Sequence, residues 1–147
     1  MLRRAAGDRV ASSETADRAG AVMLPIIDQT DAPLLRVRFG RDVTVAELDA
    51  HLGQIDAIVA AAPDQRIALI IDLREASLLG LELRPRLAAR MQSGYPHVAG
   101  RILGVAHVVD SPLVLGAMTA LWWLAPPPFP TLVTRSPDEA STWARTR

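Results

Sequence analysis

The sequence predicts an α/β fold, a mixed, mostly parallel sheet of about five strands with about four helices laid across it. Three observations carry this expectation. RIALIIDL (66–73) and RILGVAHVV (101–109) are nearly unbroken aliphatic runs, apolar at odd and even positions alike. That is the pattern of strands covered on both faces of a sheet. Segments of helical period separate and follow these runs. Ser-Pro pairs at 111–112 and 136–137 then mark helix starts that alternate with strands, Ser capping and Pro taking the first helical position.

The elements follow in order. AVMLPIIDQ (21–29) contains a proline, which cannot donate to a ladder, so it reads as an edge strand or its lead-in. After DAP, LLRVRFG (34–40) alternates as a half-buried strand, Leu35, Val37 and Phe39 facing one way and Arg36 and Arg38 the other. The two form a hairpin. Thr44 with Glu47 is a capping box, and Val45, Leu48, Leu52, Ile55 and Val59 repeat at helical spacing until Pro63 ends the run. Leu81–Gln92 spaces Leu83, Leu87 and Met91 as helix core positions, with Pro85 in the first turn, and SGYPHVAG (93–100) reads as a turn. FPTLVTR supplies the last strand. Ser136 to Glu139 is a second capping box, opening a short helix that carries Trp143.

With 147 residues, half of them apolar, the chain has room for one domain with a real core, expected over 22–147. Residues 1–21 hold mixed charges and small side chains and read as a mobile tail. They carry no apolar block after their positive start, which argues against a secretory signal. Sixteen basic residues, all arginine, balance sixteen acidic ones, so no net field draws nucleic acid. Cysteine is absent, which excludes disulfides, thiolate nucleophiles and cysteine-based zinc sites and agrees with a cytoplasmic location.

The uncharged stretch SPLVLGAMTALWWLAPPPFP (111–130) holds two of the three tryptophans. As a helix its 14 residues from Pro112 to Ala125 would span about 21 Å, too short to cross a bilayer. On a helical wheel Leu113, Val114, Leu115, Ala117, Met118, Leu121, Trp122 and Leu124 fill a broad apolar arc. Gly116, Thr119, Ala120 and Trp123 gather on the remaining side. Two accounts stay open: a helix lodged between the sheet and a neighbouring helix, or one whose Gly116, Thr119 and Ala120 leave a notch roofed by Trp123 where a partner or apolar ligand docks.

Catalytic chemistry finds little support. The carboxyl ends of the two buried strands carry Asp72, Arg74 and Ser77 on one and His107, Asp110 and Ser111 on the other. No G-x-S-x-G elbow accompanies these serines, Ser111 is already a helix cap, and His107 alternates with Leu103 and Val105 as a hydrogen-bonded core histidine would. His51, His97 and His107 lack metal-ligand spacing, and Asp72 is expected to pair with Arg74 or cap a turn. No phosphate-binding glycine motif is present, so no cofactor and no metal are expected.

The β-β-α-β-α-β-α-β-α order, the strand-end Asp in IALIIDLREAS and the closing TLVTRSPDEASTWA, with Glu139, Ala140 and Trp143 in its helix, resemble STAS domains, and among them the SpoIIAA-like branch. The resemblance covers about residues 23–147. It implies a small bacterial regulatory module that acts by binding rather than catalysis, its partner a protein or a second copy of itself. Some STAS domains are switched by phosphorylation of a serine in a D-S-S-G-like motif; here Asp72 is followed by LREASLLGLEL, where Ser77 is the sole hydroxyl. SpoIIAA-like proteins are also grouped with lipid-binding folds of the CRAL-TRIO type, which implies an apolar ligand or lipid as the alternative. The expected interaction or ligand surface comprises Asp72, Arg74, Ser77, Asp110, Gly116, Thr119 and Trp123.

Overall fold

The hairpin forms as expected. β1 (Ile26–Asp28) runs antiparallel to β2 (Leu34–Arg38), with Ile27 opposite Val37. The turn between them is closed by Ala32 N–H donating to the Gln29 carbonyl at 3.0 Å and by the Asp28 carboxylate accepting from Thr30 N–H at 2.8 Å. This structure is a computed structural model and describes residues 26–41, 44–76 and 83–147. The expected tail at 1–21 and Ser77 lie outside the described residues.

From β2 onward the sheet is parallel. β3 (Ile67–Asp72), β4 (Ile102–Val108) and β5 (Thr131–Thr134) add in sequence, giving the order β1-β2-β3-β4-β5. The intervening helices are α1 (Val45–Ala61), α2 (Leu83–Val98) and α3 (Pro112–Leu124), and α4 (Pro137–Arg145) closes the chain. Crossovers of one hand that always step in one direction must lay their helices on one face. Accordingly Leu48 and Val59 of α1, Leu87 of α2 and Leu121 of α3 share a core with Leu35, Val37, Leu69 and Val105. The opposite face belongs to α4, whose Ala140 and Ala144 pack on Leu34, Ala68, Ile70, Ala106 and Val108. Strands apolar on both faces are covered on both.

Close approach of α4 depends on small residues beneath it. A Cβ at Gly104 would stand 2.7 Å from Cη2 of Trp143, inside any tolerable contact. Trp143 also stacks with Arg147, whose guanidinium lies 4.5 Å from the ring centroid. Arg36, expected on a solvated face, instead donates to the Ser141 hydroxyl at 2.8 Å and so ties α4 to β2. The register of β3 and β4 shifts between Ile67 and Ala68, pairing Ile67 with Ile102 and Ala68 with Gly104. The shift turns Leu103 toward α4, so it does not share a face with Val105 and His107 as strict alternation implied.

Two expectations about helix ends need correction. SGYPHVAG is not a turn: α2 continues through Pro96 to Val98. Leu87, Met91, Tyr95 and Val98 extend one helical stripe into the core, and this burial outweighs the single ladder bond that Pro96, exposed in the last turn, cannot make. At α4 the reciprocal half of the capping box is replaced. Ser136 Oγ accepts from Glu139 N–H at 3.2 Å, but the Glu139 carboxylate takes the Thr134 hydroxyl, and Ser136 N–H donates to Thr134 Oγ1. The box at Thr44 and Glu47 is complete. Among the described residues no helix is long and apolar enough to cross a membrane.

Gly104→Ala is expected to destabilise the fold by ~1–3 kcal/mol, read by urea denaturation. Combining it with Trp143→Leu should cost less than the sum of the two single changes, because the clash and its partner are then removed together.

Candidate functional site

The three helices on one face do not fill the space above the sheet. β3 and β4 project Leu69, Ile71, Val105 and His107 upward, while α1 contributes His51 and Ile55, α2 Met91 and Tyr95, and α3 Ala117 and Trp122. Between them lies a cavity of about 240 Å³ with a predominantly apolar lining. Three ring pairs stand edge to face around it: Phe39 with His51 at 4.7 Å, Tyr95 with Phe129 at 5.7 Å, and His107 with Trp122 at 5.2 Å between centroids. At the rim Asp56 of α1 and Arg90 of α2 form an ion pair at 2.6 Å.

Two histidines supply the buried polar chemistry of this space. His51 is only 2 % exposed and His107 9 %. Burial pushes each imidazole down to about 4, the backbone at Leu132 opposing the shift at His107, so both are neutral at physiological pH. Among the described residues neither Nδ1 has a hydrogen-bond partner. His107 is thus the core histidine expected, but not a fully satisfied one. Burial also raises the Tyr95 phenol to about 12, and its hydroxyl donates to the Ala125 carbonyl at 3.4 Å.

The expected surface residues fall into two separate groups. At the carboxyl ends of β3 and β4, Asp72 accepts from Arg74 Nε at 3.0 Å, Nη2 at 2.7 Å and its backbone N–H at 3.1 Å, both pairing and capping a turn. Arg74 hydrogen bonding holds the Asp72 carboxyl below its usual range, and Asp110 adds its charge to those acting on Arg74. Asp110 itself is exposed. Ser111 Oγ caps α3 by accepting from Val114 N–H at 3.4 Å, so Ser111, His107 and Asp110 do not assemble a triad. Among the described residues no cluster of three or more metal-ligating side chains occurs.

The second group lies on the outer face of α3. Gly116 has open space where a Cβ would stand, Thr119 is exposed with its hydroxyl bonded to the Leu115 carbonyl, and Trp123 is 82 % exposed. The buried stripe of α3 is narrower than the expected arc. Val114, Ala117, Met118 and Leu121 are inside, whereas Leu113, Leu115 and Leu124 face outward. His51, Tyr95 and Phe129 had no place among the expected site residues. A signal existed for His51, which sits three residues after Leu48 and four before Ile55, inside the apolar stripe of α1.

No family model and no curated protein matches this chain. Among solved structures it is similar to an uncharacterised protein of the DUF3478 family from Shewanella loihica, described as having a SpoIIAA-like fold. The TM-score is 0.58 at 16 % identity, covering 82 % of this chain and 91 % of that one. The fold is therefore SpoIIAA-like, as the sequence resemblance implied.

The two histidines set a pH dependence. Their folded pKa lies near 4, below the ordinary 6.5, so between these values the unfolded chain takes up protons that the folded one refuses. Stability is complete above about pH 6.5 and falls as pH drops through the window, at up to ~1.4 kcal/mol per pH unit for each histidine. His107→Phe should remove about one proton's share of that slope, measured as urea midpoints between pH 7.5 and 5.

Proposed function

We propose that this chain is a non-enzymatic binding domain that takes a small apolar ligand in the cavity between the sheet and α1, α2 and α3. The cavity itself carries this conclusion. Protein interiors are packed to crystal density, with few voids larger than a water molecule. A concave, mostly apolar space of about 240 Å³ with a few polar groups converging on it is the kind of feature in which apolar ligands bind. Its volume favours a small molecule over a lipid with full-length acyl chains, since drug-sized ligands begin at ~300 Å³. The cysteine-free, charge-balanced composition fits action in the cytoplasm without a nucleic-acid partner.

The alternative, a regulatory module that binds a protein or a second copy of itself, draws support from α3. Leu113 at 68 %, Leu124 at 53 % and Trp123 at 82 % exposure form an uncovered apolar face. Self-association through it would appear as concentration-dependent sedimentation that Trp123→Glu abolishes.

Native mass spectrometry of protein purified from its own host is expected to show a bound small-molecule mass. Ala117→Leu, which extends a side chain into the cavity, should remove that mass and leave stability unchanged or higher. A wild-type protein that carries no small molecule and binds no apolar probe would refute the ligand assignment.

A further inference from the structure

Building on the cavity assignment, we infer that the ligand is a small, flat, uncharged aromatic molecule, selected over aliphatic molecules of equal carbon count. The first observation is where the chain places its aromatic side chains. It holds two phenylalanines, one tyrosine and three tryptophans. Both phenylalanines (Phe39 and Phe129), Tyr95 and Trp122 line this one cavity. The core on the opposite face of the sheet is built instead from leucine, isoleucine, valine and alanine, with Trp143 packed against it.

That difference in wall chemistry discriminates between guests. An aliphatic guest gains only from the area it removes from water, and aliphatic walls supply that as well as aromatic ones. An aromatic guest gains in addition from the ring quadrupoles when edge meets face. The walls already carry this arrangement in three pairs, Phe39 with His51, Tyr95 with Phe129 and His107 with Trp122. Tyr95, Trp122 and Phe129 line the space while only half-buried, so their rings keep surface for a guest. Met91 and Met118 add polarisable sulfurs to the lining, which also favour aromatic neighbours. Size sets the upper limit: a ~150 Å³ apolar cavity holds benzene, so about 240 Å³ admits by proportion about ten non-hydrogen atoms. The charged side chains among the described lining residues are Asp56 and Arg90, already bonded to each other at 2.6 Å. A charged guest would therefore enter an apolar space without a free counter-ion.

Headspace gas chromatography over the full chain at neutral pH gives dissociation constants for naphthalene and decalin, which share one fused carbon skeleton. Decalin is saturated and the more apolar of the two, so burial alone favours it. Naphthalene should nevertheless bind about tenfold tighter, the scale of edge-to-face ring contacts. Trp122→Leu and Phe129→Leu each exchange a lining ring for an aliphatic side chain, and each should narrow that preference while decalin binding is kept. 2-Naphthoate, followed by equilibrium dialysis, should bind more weakly than naphthalene. Decalin binding as tightly as naphthalene or tighter, or a preference unchanged in both variants, would overturn the aromatic assignment while leaving the cavity as a ligand site. Naphthoate binding tighter than naphthalene would overturn the assignment of an uncharged ligand. The wild-type comparison decides by itself if a variant does not fold. Failure of both hydrocarbons to bind wild-type protein would remove the cavity assignment and this inference together.

Discussion

The architecture depends on one constraint: the central strands β3 and β4 are buried on both faces, so neither face can be left to water. Each of Ala68, Ile70, Ala106 and Val108 needs cover on one side, and each of Leu69, Ile71 and Val105 on the other. Same-handed crossovers send α1, α2 and α3 to the second side and leave α4 alone to cover the first. The two sides are met differently. Beneath α4 the sheet sets Ala68, Ala106 and Gly104 among Leu34, Ile70 and Val108, and the helix sits close enough for Trp143 to lie on the glycine. Beneath the three helices the side chains are larger, yet the helices do not close over them, and the cavity is what remains.

Much of this was legible in the chain. The two aliphatic runs had no polar face to give to water, which placed them at the centre of the sheet. Thr44, Ser111 and Ser136 announced their helices through capping chemistry that acts over three residues and so survives in any tertiary setting. What failed to show depended on distant partners. Pro96 is a local stop signal, but the Met91, Tyr95 and Val98 stripe gains more by packing on Phe129 and the core than the helix loses at one proline. The bulge that turns Leu103 toward α4 comes from pairing with β3 and has no signature within β4.

The candidate site was half visible for the same reason. Exposure of Trp123 followed from the small-residue side of its own helix, and the pairing of Asp72 with Arg74 from their spacing. The cavity is not a property of any segment. It needs the simultaneous placement of three helices over two strands, and His51 and Tyr95, from different helices, acquire their meaning only there. A SpoIIAA-like fold does not by itself assign chemistry, because function resides in sites carried by folds. Here the informative feature is a pair of neutral, buried imidazoles lining an apolar space, where the sequence showed two lone histidines among aliphatic neighbours.

The direct measurement is a crystal structure of the unliganded protein under xenon pressure, since dry apolar cavities take up xenon whereas packed interiors do not. Xenon density between His51, His107 and Trp122, above Leu69 and Val105, is the expected result. A core in which α1, α2 and α3 have closed over the sheet, with no xenon and no room for one, would contradict the existence of the site.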